Sequence, residues 1–203
     1  MGSIETKIML DGAQFDKIIR SLSRLRELGG RPKQMMKKLG AGMVRIVGKN
    51  FEAEGRPTRW KARSRLSDVN LGRQAMERTS KTKAFGKAKE RGRFRMLRRS
   101  ALKAMGNKIL SLSGELKNSI YYEAEDQQVS VGPSGAVPYA RIHHYGGIIR
   151  AKGKALAIPF GNRILRVQKV VIPARPYLVI PNSEFKVLNQ IALGELKEAA
   201  GVD

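Results

Sequence analysis

Residues 139–147 read Tyr-Ala-Arg-Ile-His-His-Tyr-Gly-Gly, and residues 172–178 read Ile-Pro-Ala-Arg-Pro-Tyr-Leu. These two islands lie on either side of a run of short predicted strands. Neither contains the residues that an active site needs. We therefore interpret them as a fixed structural core that serves assembly instead of chemistry.

Composition limits the class of protein. At 203 residues, 41% of them hydrophobic, the chain predicts one folded domain, residues 1–203. There are 40 Lys and Arg against 17 acids, a formal charge of +23, which favours contact with a polyanion or an acidic protein surface. The chain has no cysteine, which excludes disulfides and thiolate zinc sites. It has neither an apolar signal region nor a run of about 18 apolar residues, so we expect no membrane partner.

The positive charge is concentrated in one segment. Residues 56–108 contain 18 basic residues and three acids, a net charge of +15. Because such a segment repels itself and buries little, residues 56–95 are predicted to leave the folded body as a long basic arm. The arm is either a solvated, flexible loop or a contact for DNA or an acidic partner, with Phe85 and Phe94 able to stack on bases. The candidate contact residues are Lys81, Lys83, Lys87, Lys89, Arg91, Arg93, Arg95, Arg98 and Arg99.

The first part of the chain predicts one strand and two helices. Residues 4–10 alternate in the manner of a strand, and Asp11 can cap the helix that follows. Apolar residues at three- and four-residue steps predict helices up to Gly29 and from Pro32 to Gly55. We expect the three glycines of the second helix to allow close approach of another backbone; they are Gly40, Gly42 and Gly48.

The second part predicts a helix over residues 96–109, a turn capped by Ser113 and a hairpin of residues 120–124 and 128–131. A short helix begins at Pro138 and ends at Gly146, and Tyr139, His143 and Tyr145 are expected to hold it to the sheet. Residues 148–150, 155–160 and 164–172 are predicted strands, Pro173 and Pro176 end the sheet, and Ser183 caps a final helix. The fold class is α+β: N-terminal helices, a small antiparallel β-sheet and a C-terminal helix, with the long basic arm.

No residue set predicts catalysis. His143 and His144 are the only histidines, and sequence neighbours point in different directions, so they do not readily bind one metal. No serine lies in a Gly-x-Ser-x-Gly turn, and the glycine pair at 146–147 precedes a strand, not a helix. We therefore predict no enzyme, no metal and no cofactor. A nuclease with a lone histidine beside a basic patch is the one enzymatic form left open.

Five stretches in order resemble the phage virion morphogenesis family, which overlaps the tail-completion and neck proteins of tailed phages and prophages. Phe51 to Trp60 is similar to the family's "F…G…W", and residues 109–120 to "IL…TG.L..SI". Val129-Ser-Val-Gly is similar to "V.VG", and the two opening islands to "YA..HQ.GG" and "IPARPFL". The resemblance covers residue 51 to the carboxyl terminus. The chain departs from the pattern in its longer basic segment and in His144, where the family usually has glutamine. The matching positions are Trp60, Gly114, Leu116, Tyr139, His143, Gly146, Gly147, Pro173, Arg175 and Pro176.

The resemblance implies a structural protein of the virion at the head-tail junction, present in the host cytoplasm during assembly. It implies no enzymatic activity and no cofactor. The implied partners are further copies in a ring, with a hexamer as the expected size, together with neighbouring neck, connector and tail-tube proteins. Arg175 lies on a stiff extended segment and could pair with an acid inside the subunit or across a ring interface.

Two hypotheses account for the charge. In the first, a ring surrounds the DNA exit channel and the arm contacts phosphates without sequence preference, grips neighbouring subunits, or does both. In the second, the chain is a stand-alone basic nucleic-acid-binding protein, such as a ribosome-associated or nucleoid protein. Composition alone allows both.

Overall fold

The computed structural model describes residues 12–62, 108–111, 113–126, 128–160 and 163–201. The helices in these ranges are α1 (Gly12–Glu27), α2 (Pro32–Glu52), α3 (Glu115–Asn118), α4 (Ala140–Tyr145) and α5 (Phe185–Ala200), with a 3-10 turn at Asn182–Glu184 before α5. The strands are β1 (Ile120–Ala124), β2 (Val129–Pro133), β3 (Gly147–Arg150), β4 (Leu156–Phe160), β5 (Arg163–Val167) and β6 (Lys169–Ile172).

The strands pair as three antiparallel ladders of two strands each: β1 with β2, β3 with β6, and β4 with β5. The predicted α+β class is therefore confirmed, although the expected small sheet is divided into three ladders in the described ranges. The strand expected over residues 164–172 is wrong as one element, because it is interrupted at Gln168 and its halves pair with different strands. The predicted hairpin of residues 120–131 is confirmed, with Tyr122 opposite Val131.

Helix α2 is the centre of the packing. It contacts α1 and α5 on one side and the β1–β2 hairpin on the other. Pro32 lies in its first turn, as predicted, where the missing N–H has no intrahelical partner to lose. The helix ends at Glu52 instead of Gly55, and Gly55 follows in a turn with φ +111°. The apolar stripe of α2 is buried: Met35, Met36, Leu39, Met43, Ile46, Val47 and Phe51.

Two of the three glycines in α2 allow close packing, but of side chains instead of the expected backbone. A Cβ at Gly40 would lie 2.4 Å from Tyr122 Cδ2, and one at Gly42 would lie 2.9 Å from Ile191 Cδ1. At Gly48, no atom of the described residues lies within 4 Å of such a Cβ, so the expectation finds no support there. The β1–β2 hairpin therefore packs closely on α2 at Gly40, and α5 packs closely on it at Gly42, because neither position carries a side chain.

The final helix begins differently from the prediction. Ser183 lies within the 3-10 turn and does not cap α5, whose first residue follows Glu184 without a side-chain cap. Phe185 and Leu188 are buried, and Ile191 and Leu196 are partly buried against the core. Lys38 of α2 forms an ion pair with the buried Glu195 of α5, and a second one at 3.3 Å with Glu198. These contacts fix α5 along α2.

Several predictions lie wholly or mostly outside the described residues. They are the strand at residues 4–10, the Asp11 cap, most of the helix at 96–109 and nearly all of the basic arm. Ile109 and Leu110 form a turn, with Leu110 at φ +60°, so the predicted helical conformation is wrong at Ile109.

Candidate assembly surface

An aromatic cluster holds the extended segment that follows β6. Trp60 is 6% exposed and donates from Nε1 to the carbonyl oxygen of Pro176 at 3.0 Å. Its ring meets that of Phe51 edge-on, with centroids 5.6 Å apart, and Phe51 also contacts the fully buried Tyr177 at 5.3 Å. Such ring pairs stabilise beyond the area they bury. The family positions Trp60 and Pro176 are thus direct partners.

Asn50 is the polar counterpart of this cluster. It is fully buried in α2 and donates from Nδ2 to the carbonyl oxygens of Tyr177 at 2.9 Å and Val179 at 2.7 Å. Its Oδ1 accepts from Arg56 Nε at 3.0 Å. One side chain therefore satisfies two carbonyls of an extended segment that has no neighbouring strand in the described part of the chain.

Arg56 extends the network to the start of α5. Its Nη1 lies 2.5 Å from Glu184 Oε1, and its Nη2 donates to the carbonyl oxygen of Ile46 at 3.1 Å. Lys49 reaches the same carboxylate at 3.2 Å. The hydrogen bond from Arg56, with a smaller contribution from Lys49, holds the pKa of Glu184 below its usual range. The first residue of the predicted basic arm therefore belongs to the folded core.

The short helix α4 is held to the same segment by backbone contacts. The Arg175 N–H donates to the carbonyl oxygen of His143 at 2.9 Å, and the Tyr177 hydroxyl donates to that of Ala140 at 3.1 Å. Gly146 follows α4 at φ +72°, where a Cβ would lie 2.7 Å from the Ala174 nitrogen. Only glycine fits there without displacing backbone. Gly147 opens β3, and its Cα packs near Ile142.

The histidines occupy structural positions. His144 packs edge-on against Tyr177 at 5.0 Å, and His143 against Tyr139 at 5.7 Å. Burial lowers the pKa of both imidazoles, with Arg175 adding to the effect on His143. Their Nδ1 atoms are buried and have no hydrogen-bond partner among the residues that the structure describes. Tyr145 is 58% exposed and its ring contacts His144, so Tyr177, and not Tyr145 as expected, anchors α4.

Arg175 is 7% exposed, between Pro173 and the exposed Pro176. Its guanidinium donates to the carbonyl oxygens of Lys61 at 3.3 Å and Ala62 at 3.5 Å. These contacts join the segment to the chain just before residue 63. The expected pairing with an acid, within the subunit or across a ring, stays a prediction.

The remaining family positions surround α3. Gly114 precedes this helix at φ +74°, and Leu116 is 3% exposed in the core. Ser113 accepts from the Glu115 N–H at 3.3 Å, which agrees with its predicted capping role, although Gly114 occupies the cap position. The Tyr139 hydroxyl donates to Glu115 Oε2 at 2.7 Å. Tyr139 thereby links α3 to α4.

A hairpin of residues 147–172, here called the basic hairpin, extends from this scaffold. Strands β3 and β6 form its base, β4 and β5 its outer part, and the Ala151 N–H donates to Gln168 O at 2.9 Å between them. Among the described elements, its strands make extensive contacts only with each other, β3 with β6 and β4 with β5. It has six basic residues and no acid. It exposes large apolar side chains, namely Ile148 (51%), Ile149 (42%), Ile164 (66%), Leu165 (38%) and Val171 (63%).

Negative charge is concentrated on the β1–β2 hairpin. Residues 118–140 contain three acids and no Lys or Arg, in a chain with 40 such residues. Tyr121, Glu123, Glu125 and Asp126, here called the acidic face, are all exposed. Tyr121 and Glu123 lie on the side of β1 that faces away from α2, and their side chains hydrogen-bond at 3.2 Å.

Sequence reasoning identified the positions that hold the scaffold but not their partners. It did not single out Asn50, Glu184 or the role of Tyr177. The acidic face had a visible signal, the absence of basic residues from 118 to 140. The nine candidate contact residues of the arm lie outside the described ranges. In the described part of the chain, no helix is long and apolar enough to cross a bilayer, and no three His, Asp or Glu side chains cluster as metal ligands.

The buried contacts of Asn50, Trp60 and Tyr177 support an exposed, strongly charged hairpin. This arrangement is typical of a protein that works through contacts with other macromolecules. The chain belongs to the phage virion morphogenesis family, whose model matches residues 94–197, just over half of the sequence. It is thus a virion-associated morphogenesis protein of a phage. The resemblance inferred from the motifs is confirmed, although residues 51–60 lie before the matched part.

No curated protein and no solved structure matches the chain significantly.

Proposed function

We propose that the chain is a head-tail joining or tail-completion subunit that acts by assembly at the neck of the virion, in a ring of identical copies. The family supports a role in morphogenesis. The observation that supports a role in assembly is the basic hairpin. Its exposed apolar side chains are not covered by any described element. An isolated two-stranded hairpin is marginally stable in water, so this one needs a partner surface.

The scaffold supports the same function. The segment after β6 is fixed by Asn50, Trp60 and Arg56 at the base of the hairpin. A hairpin on a rigid base presents its surface in one orientation, which lowers the entropic cost of docking. The implied partners are further copies and neighbouring neck, connector and tail-tube proteins. Neither catalysis nor a cofactor has a place in this mechanism.

Imaging of the intact particle tests the proposal. Density for this chain should form a closed ring between capsid and tail, and particles from a phage that lacks the gene should include heads and tails that fail to join. Intact, joined particles without the gene would contradict the proposal. A capsid-decoration or tail-tip location would contradict the neck assignment and leave the family membership intact.

A stand-alone nucleic-acid-binding protein is the second candidate. The charge of +23 favours it, with a net +15 in residues 56–108. It predicts tight duplex binding by the purified chain without any phage partner, and no ordered density for the chain at the joint of the particle.

A further inference from the structure

One face of the basic hairpin has a specific pattern at its base. Ile148 lies opposite Val171 in the β3–β6 register, and two residues along Arg150 lies opposite Lys169. All four side chains are exposed. Because residues two apart on a strand share a face, this face carries an apolar pair followed by a pair of cations.

The cation pair is costly within the subunit. Like charges directly opposite on neighbouring strands destabilise the ladder. Within the described ranges, neither Arg150 nor Lys169 has an ion-pair partner. The pair therefore favours an external anionic surface that lies next to an apolar one.

The acidic face repeats the pattern with the opposite charge. Tyr121, 46% exposed, lies two residues before Glu123 on β1, and Glu125 follows two residues later. The step from the apolar to the charged side chain is about 7 Å on both surfaces. Opposite Tyr121 and Glu123 in the register are the small residues Gly132 and Ser130, which leave room for a docking strand pair.

We propose that the basic hairpin of one copy docks on the acidic face of a second copy, with Ile148 and Val171 on Tyr121, and Arg150 and Lys169 on Glu123 and Glu125. This proposal rests on the proposed function and names the contact between subunits. Each copy carries both surfaces, so the contact is head-to-tail and generates a ring where the rotation closes. The basic arm is a poor partner for the basic hairpin, because residues 56–95 carry a net charge of +11 and repel it.

Charge reversal gives a paired test. One variant carries Arg150→Glu and Lys169→Glu, and a second carries Glu123→Lys and Glu125→Lys. Each alone should weaken self-association by about a hundredfold, because like charges then meet at the contact. Mixed in equal amounts, they should associate again in alternation, since the reversed hairpin of the first fits the reversed face of the second. Light scattering over a concentration series gives the mass of each sample.

The control variant carries Lys37→Glu and Arg45→Glu, which lower the net charge by the same amount as the first variant but at exposed positions of α2. It should associate as the wild type does, and the circular dichroism of all variants should match. Wild-type protein that stays monomeric throughout the series, or a mixture that fails to associate, would overturn the proposal.

A cross-link tests the geometry without relying on charge. The chain has no cysteine, so Ile148→Cys with Tyr121→Cys introduces the only thiols. Oxidation should give a ladder of covalent multimers, a mixture of the two single variants should stop at dimers, and Ile148→Cys alone should stay monomeric. A cross-link within one chain would contradict the proposal. The absence of a cross-link in particles that contain the protein at the joint would also contradict the proposal. This outcome would leave the proposed function intact.

Discussion

Asn50 and Tyr177 are 127 residues apart in sequence, and the Asn50 carboxamide donates to the Tyr177 carbonyl oxygen at 2.9 Å in the fully buried core. The contact fixes the segment between β6 and α5 against the last turns of α2. The orientation of the basic hairpin relative to the helices therefore depends on this amide together with Trp60, which donates to the same segment.

Replacing Asn50 by alanine should lower the free energy of unfolding by about 2–4 kcal/mol, because the carbonyl oxygens of Tyr177 and Val179 lose their donor and the Arg56 guanidinium loses one of its acceptors. Chemical denaturation followed by the fluorescence of the single tryptophan, Trp60, measures the change. Gln190→Ala, at an exposed position of α5, is the control and should change stability by less than about 0.5 kcal/mol. Equal midpoints for both variants would contradict the role of Asn50.

Gly40→Ala and Gly48→Ala should act in opposite directions although both improve helix propensity. At Gly40 the new methyl group meets the Tyr122 ring and the Val129 side chain, at 2.4 and 2.9 Å, and overpacking should lower stability by about 1–3 kcal/mol. At Gly48 no described residue lies within 4 Å of the new methyl group, so alanine should raise stability by up to about 1 kcal/mol. Thermal melts compare them directly. Two stabilising substitutions would show that the β1–β2 hairpin does not pack on Gly40.

Stability should fall on mild acidification. The pKa values of His143 and His144 are lowered in the folded protein, so the unfolded chain binds more protons once the pH drops below the ordinary value of about 6.5. Their contribution is complete above that pH and decreases toward the lowered folded pKa values. His144→Gln, which introduces the residue usual in the family, should reduce the difference between melting temperatures at about pH 7.5 and pH 5. If the difference between the two melting temperatures is unchanged in this variant, groups other than His144, such as the carboxylates, cause the loss of stability.

The basic arm should give the chain a salt-dependent affinity for duplex DNA. Neutralising Z phosphates gives a slope of about −0.9Z in a plot of log affinity against log salt concentration. Replacing Lys81, Lys83, Lys87 and Lys89 by glutamine should make the slope less steep by up to about 4, if each contacts one phosphate. Replacing four exposed lysines outside both the arm and the basic hairpin, Lys33, Lys37, Lys186 and Lys197, is the matched control. A flat wild-type response would remove DNA from the mechanism.

Local sequence predicted those elements whose boundaries depend on neighbouring residues. Pro32 and the apolar stripe of α2 predicted a helix, and the two short runs on either side of Glu125 and Asp126 predicted a hairpin. The cap at Ser183 was misplaced because a 3-10 turn can precede a helix without changing the apolar period. The prediction joined β5 and β6 into one strand over residues 164–172 because both are apolar and basic. What separates them is the strand that each pairs with.

The sequence by itself determined the α+β class, the family and the uneven charge, since periodicity, motif order and composition are properties of the chain read in one dimension. Only the tertiary structure decided that Asn50 and Glu184 serve the Pro-Ala-Arg-Pro segment. It also decided that Tyr177 and not Tyr145 anchors α4, and that an apolar strand pair stays exposed. Burial and pairing depend on which distant residues fill the space around a side chain, and no local pattern records those neighbours.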